Sequence, residues 1–299
     1  MSKTSLRGAA LATAGTFLWA LAGSVGQYLF ETTSMTADWF VAVRMVIAGI
    51  ILTVLGFVKD GKENLAVFRE PEDRMKLFLF SILGMWFCQY TFYAAIAYSN
   101  SGMASVLQSL SRVLILAVLC IRLRRPPVRR ELLAVWGAVA GTFLLGIPGG
   151  GEGMAVSGPG LTFGLLSAVG SYFYNTMPGD LMNKYGTYQT VGYGSLIGGM
   201  LFALISRPWT AAVDFSAGAF LVFLAVTVLG TIFAPAAYLK GIAALGPLKG
   251  SMIGNTQPLF AVLIAVLFLG TRFRLLDLAG FGLILFSITL LSADGDTEA

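Results

Sequence analysis

Long apolar runs alternate with short polar segments along the whole chain. A run of about 20 apolar residues forms a helix long enough to cross the hydrocarbon core of a bilayer. The pattern predicts spans at residues 7–30, 38–58, 76–98, 101–121, 131–148, 160–182, 188–206, 217–241, 246–270 and 275–293. We therefore expect an all-α membrane protein with ten transmembrane helices.

Composition and charge support a membrane location. Hydrophobic residues make up 57% of the 299 residues and charged residues only 12%, so lipid must be the solvent and no soluble domain is predicted. With the N-terminus inside, 15 of the 20 Lys and Arg residues fall on the cytoplasmic side, and only Arg207, Arg272 and Arg274 fall in outer loops. This bias predicts cytoplasmic termini in a multi-pass inner-membrane protein. It also explains the net charge of +5 without a nucleic-acid partner.

The two halves of the chain resemble each other. Residues 104–113 align with residues 250–259 at an offset of 146, and three shorter matches keep the same order. The chain therefore divides into a first five-helix repeat at 1–150 and a second at 151–299. Because five is an odd number, the second repeat is inverted in the membrane. Inverted repeats support alternating access, although duplication could also serve only to build a stable bundle.

Polar residues recur at equivalent depths in the fourth and ninth spans. Gln108 and Arg112 lie in one, and Asn255 and Gln257 in the other. Polar groups in hydrocarbon are costly unless paired or hydrated, so these residues are predicted to face a substrate cavity, with interhelical hydrogen bonding as the alternative. A guanidinium at the depth of Arg112 costs at least about 2.5 kcal/mol. Since no acidic residue lies at that depth, Arg112 suits a substrate carboxylate or phosphate.

Aromatic residues and a second arginine complete the predicted site. Trp86, Tyr90 and Tyr93 share one face of the third span, which indicates a cavity wall or, alternatively, packing. Arg44 is close enough to the outer end of its span to snorkel, so a structural role is equally open. The predicted substrate-binding residues are Trp19, Arg44, Trp86, Tyr90, Tyr93, Gln108, Arg112, Tyr172, Asn255 and Gln257.

The residues for other kinds of chemistry are missing from the sequence. Histidine is absent and the two cysteines lie singly in apolar segments, so no metal site, disulfide or cofactor is predicted. An intramembrane enzyme would need a nucleophile and a base, and no acid lies in mid-span. Channels generally need a symmetric pore or a ring of ligands, which makes a channel or a non-transporting sensor less favoured.

Several segments together resemble a known family. Trp19, Arg44, the run at 97–105, Gly-Pro-Leu-Lys at 246–249 and Pro-Leu-Phe-Ala at 258–261 are similar to the drug/metabolite transporter superfamily, EamA type. The resemblance implies ten helices around a central cavity and a secondary transporter of amino acids or other metabolites, often acting outward.

Arg112 and Gln257 are among the positions that depart from the pattern of this family. Arg112 stands where members commonly have proline, so the sequence gives no support for a flexing fourth helix. Gln257 stands where a glutamate is common, so proton coupling is not supported. The expected function is export of small metabolites, with uptake or exchange of a small anionic or amine solute as the alternative. The expected partners are a small-molecule substrate and the lipid bilayer, and the expected assembly is a monomer or weak dimer.

Overall fold

A computed structural model describes residues 3–147, 157–213, 216–245 and 253–292, and these residues form helices and no strand. The predicted boundary between the repeats and the segment at 246–249 lie outside the described residues. The longer helices are α1 (Lys3–Thr32), α2 (Ala37–Asp60), α3 (Pro71–Tyr98), α4 (Ser101–Arg122), α5 (Arg129–Gly146), α6 (Gly158–Thr176), α7 (Thr187–Ser206), α8 (Ala217–Val228 and Ala234–Leu245, joined by a π-helical turn at Leu229–Phe233), α9 (Gln257–Leu269) and α10 (Leu275–Ser292).

Six helices in the described residues are long and apolar enough to cross a membrane. They are Leu6–Thr32, Ala37–Lys59, Pro71–Tyr98, Ser101–Arg122, Thr187–Ser206 and Ala217–Ile242. Two shorter apolar helices, Gln257–Leu269 and Leu275–Leu291, follow them. The all-helical membrane architecture is therefore confirmed, while the count of ten spans stays a prediction.

Prolines account for two differences from the predicted spans. Helix α3 begins at Pro71 rather than at residue 76, because proline is well tolerated in the first turn, where its missing N–H needs no partner. Helix α6 ends at Thr176 rather than continuing to residue 182. Pro178 follows two residues later and favours a break, so the chain turns into a short helix, Gly179–Tyr185.

Side-chain caps fix the starts of four helices. The caps matter because the first N–H groups of a helix have no partner within it. Thr36 accepts a hydrogen bond from the Trp39 N–H, and Asn100 accepts one from the Met103 N–H at 2.8 Å. Ser157 and Ser216 cap α6 and α8 in the same way. A polar residue before each apolar run thus sets where the helix begins.

The helices pack in pairs, each of which brings one of the first five helices against one of the last five. Helix α1 packs on α8, α2 on α7, α3 on α6 and α5 on α10, and the first part of α4 contacts α9. Small residues allow the close approach of these helices. A methyl group at Gly15 would lie 2.7 Å from the Ala234 carbonyl oxygen, and one at Gly170 would lie 2.5 Å from the Cα atom of Cys88. Each close contact therefore requires glycine.

Ion pairs lie near the helix ends. The buried carboxylate of Asp73 accepts hydrogen bonds from the Lys184 ammonium and the Tyr185 hydroxyl, both at 2.6 Å. The bond to Asp73 raises the pKa of Lys184 above its ordinary value, so the ammonium stays charged at neutral pH. Arg125 binds Glu131 through two hydrogen bonds, and Arg274 pairs with Asp277 at 2.7 Å. These carboxylates are therefore already neutralised by local cations.

Candidate functional site

Helix α4 and the segment before α9 are both interrupted at matching positions. Turns replace the helix at Ser109–Leu110 and at Asn255–Thr256, which are 146 residues apart. The Ser109 hydroxyl donates to the Val106 carbonyl at 2.5 Å, and the Thr256 hydroxyl donates to the Ile253 carbonyl at 2.7 Å. Both breaks use a hydroxyl that bonds to the backbone three residues earlier. Polar side chains are thereby placed at matching positions in the two segments.

The break in α4 occurs without a proline, which the sequence had not predicted. The Ser109 N–H bonds to the carbonyls of Ser105 and Val106, both at 3.2 Å, and the Leu110 N–H bonds to that of Leu107 at 3.1 Å. These shorter-range bonds tighten the backbone into a 3₁₀-like turn. A new helical segment begins at Ser111, and Arg112 lies in its first turn without the ring that Pro258 has in the first turn of α9.

Helix α1 contacts the break before α9, and helix α6 contacts the break in α4. The Thr16 and Thr256 hydroxyl oxygens are 3.5 Å apart, and the Ser171 hydroxyl donates to the Ser111 oxygen at 3.2 Å. Thr16 and Ser171 belong to two similar pentapeptides, Gly-Thr-Phe-Leu-Trp at 15–19 and Gly-Ser-Tyr-Phe-Tyr at 170–174. Comparison of α1 with α6 could have found this match, which ends on Trp19 in one half and on Tyr174 in the other.

Tyr238 is the centre of a first cluster, and the sequence analysis missed it. Its ring packs against Trp19 with centroids 5.2 Å apart, and its hydroxyl lies against Gly254, where a methyl group would collide with it. Arg112 lies within electrostatic reach of Tyr238. Asn255 follows Gly254 and is buried. Three predicted residues, Trp19, Arg112 and Asn255, are therefore gathered near one tyrosine.

Arg112 carries a charge that the described part of the chain does not neutralise. Its side chain is half-buried, and its guanidinium makes no hydrogen bond or ion pair with a described residue. The ion pairs of the described carboxylates involve other cations, as at Asp73, Glu131 and Asp277. A cation at membrane depth is stable only if it faces water or meets an anion. Arg112 therefore stays a candidate for contact with an anion or with water.

Arg44 belongs to a second cluster and does not reach the surface. It is 6% exposed, donates a hydrogen bond to the Tyr93 hydroxyl and lies 5.0 Å from the centre of the Tyr93 ring. Its Nε atom is buried without a hydrogen-bond partner among the described residues. Tyr174 lies within electrostatic reach of both Arg44 and Cys88. Cys88 in turn lies 3.8 Å from the amide nitrogen of Gln108.

The aromatic stripe predicted on α3 is divided between two surroundings. Trp86 stacks on Phe202 with centroids 5.3 Å apart, and Tyr90 contacts the same ring at 5.1 Å. Tyr93 is instead enclosed in the core against Phe40 at 4.7 Å. A π-helical segment at Phe80–Phe87 changes the rotation of α3 and so the direction of these side chains. The indole N–H of Trp86 is buried without a partner in the described residues.

Two further predicted residues lie apart from these contacts. Tyr172 is half-buried, and its ring packs against that of its neighbour Phe173. Gln257 is half-buried at the first position of α9, next to the break. Tyr174 rather than Tyr172 is therefore the α6 tyrosine that lies near Arg44.

An apolar cavity between helices does not coincide with either cluster. It has a volume of about 760 Å³ and lies between the second part of α4, α5 and α6. Its walls are apolar apart from Thr142, and they include the exposed side chains of Val139 and Phe143. An anion would find no cationic group there, so the two arginine clusters are the better candidates for a polar site.

Known proteins match the chain over nearly its full length. The sequence profile of the EamA-like transporter family matches residues 6–147 and again residues 158–293. The uncharacterized inner membrane transporter YicL of Salmonella typhimurium is 32% identical over 282 residues, which cover 94% of each chain. A protein of known crystal structure aligns over 97% of each chain with a TM-score of 0.60 and 18% identity, which shows a shared fold.

These matches confirm the predicted family, the transporter class and the inner-membrane location. The family and the relative are transporters, so the prediction that the chain is not an enzyme is also confirmed. The matches do not identify the substrate, the direction of transport or the transport mechanism. The chain belongs to the EamA-like transporter family and is a multi-pass transporter of the inner membrane.

Proposed function

We propose that this transporter is a secondary carrier of small metabolites that bear an acid group, such as amino acids or related compounds. The observation that carries the proposal is Arg112, a half-buried cation with no counter-ion among the described residues. A substrate carboxylate or phosphate would supply that counter-ion through charge-assisted hydrogen bonds. Trp19 and Tyr238 beside it offer surface for the rest of the solute.

Alternating access is the mechanism that the internal symmetry supports. The two breaks, the two hydroxyl contacts and the pairing of α1 with α8 and of α3 with α6 all recur between the halves. The family profile also matches each half separately. We accordingly propose ten spans in two inverted repeats, divided near residue 150, with both termini in the cytoplasm. Exchange of the two half-conformations would open one site to each side in turn.

Export is the proposed direction, on the basis of the family resemblance. Uptake or exchange of an anionic solute would use the same site. An amine solute would have to pair with a carboxylate other than Asp73, Glu131 and Asp277, which are paired with cations near helix ends. We further propose that Gln108, Asn255 and Gln257 orient the solute, and that Trp86, Tyr90 and Tyr172 contribute to the walls.

Counterflow in proteoliposomes tests the proposal. Purified protein is first screened for thermal stabilisation by amino acids, organic acids and amines, because a ligand of the native state raises apparent stability. We expect the stabilising compounds to be acids and to show saturable counterflow. Arg112→Gln should reduce counterflow by about tenfold or more, since a hydrogen bond to a charged group contributes about 1.5–3 kcal/mol.

Arg122→Gln is the matched control, because Arg122 is an exposed arginine at the end of the same helix. It should leave counterflow close to that of the wild type. Ohmic conductance without counterflow would indicate a channel, and stabilisation without any flux would indicate a sensor. Equal counterflow in the wild type and Arg112→Gln would show that Arg112 does not bind the substrate.

A further inference from the structure

The turn between α4 and α5 is rich in arginine. Five of the nine residues at 122–130 are arginines. Arg125 is neutralised by Glu131 through two hydrogen bonds of 2.7 and 2.8 Å, and these bonds join the end of α4 to the start of α5. Arg124 and Arg129 are exposed, and neither makes a hydrogen bond or an ion pair with a described residue. Their charges are therefore available to a partner outside the chain.

Arg124 occupies a backbone position that usually belongs to glycine. Its φ is +50°, in the left-handed region. The Arg124 N–H bonds to the Ile121 carbonyl at 3.2 Å. The Arg125 N–H bonds to the Cys120 carbonyl at 3.1 Å, and the two bonds together form the pattern that ends a helix on a left-handed residue. Gly270, 146 residues later, ends α9 with a φ of +64°. A side chain is unfavourable in this conformation, so arginine at 124 lowers the stability of the turn.

Arg129 lies where the helix dipole opposes a cation. It is the first residue of α5, and the N-terminal end of a helix carries a partial positive charge. Arg122, in the last turn of α4, lies by contrast at the end of a helix that favours a cation. A charge bias between the two sides of a membrane requires a number of cations in a loop, but not cations at the two unfavourable positions 124 and 129. An anion outside the chain would offset the free-energy cost of both.

Exposed apolar side chains adjoin the two cations. Ile121 in the last turn of α4, and Leu133 and Trp136 on α5, are all exposed. Because residues four and seven positions apart share one face of a helix, Arg129, Leu133 and Trp136 form a strip along α5 with the cation at its end. A phospholipid fits this strip, since its phosphate would meet the arginine and its acyl chain would cover the apolar residues. A soluble anion would leave those residues uncovered.

We propose that the turn between α4 and α5 is a binding surface for anionic phospholipids, with Arg124 and Arg129 as the residues that contact the headgroups. The partner is identified by charge complementarity and by the apolar strip beside the cations. A lipid that binds only the folded transporter stabilises it. The proposal concerns the lipid around the transporter, so it does not depend on the nature of the solute or on Arg112.

A lipid titration in neutral detergent tests the proposal on the wild-type protein. Thermal unfolding is followed with phosphatidylglycerol, with phosphatidylcholine of the same acyl chains, and with glycerol phosphate, which has the anionic group without the chains. Phosphatidylglycerol should raise Tm at a lower concentration than phosphatidylcholine, and added salt should reduce this difference because salt screens exposed charges. Equal effects of the two lipids would overturn the proposal. Stabilisation by glycerol phosphate as strong as by phosphatidylglycerol would show that the surface binds a soluble anion instead.

Two substitutions of Arg124 separate its charge from its backbone strain. Arg124→Gln removes the charge and keeps the strain, so the phosphatidylglycerol concentration for half of the Tm rise should increase about fivefold, which corresponds to about 1 kcal/mol for one cation at an anionic surface. Arg129→Gln should have a similar effect. Arg124→Gly removes both charge and strain, so it should raise Tm in detergent alone and weaken the response to phosphatidylglycerol. An unchanged response in both glutamine variants would contradict the proposal.

Arg207→Gly is the matched control. Arg207 is exposed at the end of α7 and also has a left-handed φ, of +48°, but residues 187–213 contain no other arginine or lysine. Its replacement by glycine should raise Tm in detergent through release of the same kind of strain, and should leave the response to phosphatidylglycerol unchanged. If Arg207→Gly weakens that response as much as Arg124→Gly does, the lipid responds to total charge, and the turn between α4 and α5 is not its binding surface.

Discussion

Tyr172 and Tyr174 are two residues apart on α6, and this separation turns them toward different sides of the helix. Tyr174 lies within electrostatic reach of Cys88 and Arg44, while the ring of Tyr172 packs against Phe173. The sequence places both tyrosines in one apolar span and contains no direct signal of which one faces α3. The choice depends on the rotation of α6, which close packing at Gly170 sets.

Replacing each of these tyrosines by phenylalanine tests which one belongs to the site. Tyr174→Phe removes only the hydroxyl near Arg44, and we expect it to lower the affinity for the transported acid about fivefold, the equivalent of one hydrogen bond of about 1 kcal/mol. Tyr172→Phe makes the same chemical change two residues away and should leave the affinity unchanged. Thermal shift over a ligand titration measures both. If Tyr172→Phe lowers the affinity and Tyr174→Phe does not, Tyr172 belongs to the site, as the sequence predicted.

At the scale of the helix, the sequence predicts boundaries better than interruptions. The spans predicted at 38–58 and 188–206 differ by at most two residues from α2 and α7 at each end. Bilayer thickness and apolar length alone determine such boundaries. The break at Ser109–Leu110 was not predicted, because it depends on hydroxyl and backbone hydrogen bonds rather than on apolar length. The π-helical segments of α3 and α8 were missed for the same reason.

The two breaks are maintained by different chemistry, and this difference leads to a prediction. Pro258 lacks an N–H group, so the break before α9 persists without its hydroxyl. The break in α4 depends on Ser109 and on the contact of Ser111 with Ser171. Ser109→Ala with Ser111→Ala should therefore let α4 straighten and slow counterflow by about fivefold for each lost bond, if each contributes about 1 kcal/mol to the broken state.

Thr256→Ala is the control for this prediction, because it removes the equivalent hydroxyl but leaves Pro258. Its counterflow rate should stay near that of the wild type. Affinity for the transported acid, measured by thermal shift, should change little in either variant, since neither removes a cation. If Thr256→Ala slows transport as much as the serine double variant does, proline does not maintain the second break.

At the scale of the whole molecule, two polar contacts connect distant parts of the chain. Asp73 of α3 binds Lys184 and Tyr185 of the short helix after α6. Arg274, just before α10, binds Asp277 and also donates to the Ile147 carbonyl at the end of α5 at 3.1 Å. The two contacts differ in exposure. The Lys184 side chain is 55% exposed, whereas the Asp277 side chain is 1% exposed.

Because the two ion pairs differ in exposure, replacing aspartate by asparagine should affect protein stability differently in each pair. Asp277→Asn leaves the half-buried guanidinium of Arg274 without its buried carboxylate, which is expected to cost more than the loss of an exposed pair and at most about 3–5 kcal/mol, the cost for a fully buried pair. Asp73→Asn breaks a pair whose cation is half in solvent, and such pairs contribute about 0–1 kcal/mol. Thermal unfolding of the two variants in the same detergent should show a large fall in Tm for Asp277→Asn and a small one for Asp73→Asn. Equal falls in Tm would mean that the two pairs contribute equally to stability. The two short hydrogen bonds of Asp73 would then stabilise the contact of α3 with the short helix as much as the Arg274–Asp277 pair stabilises the contact of α5 with α10.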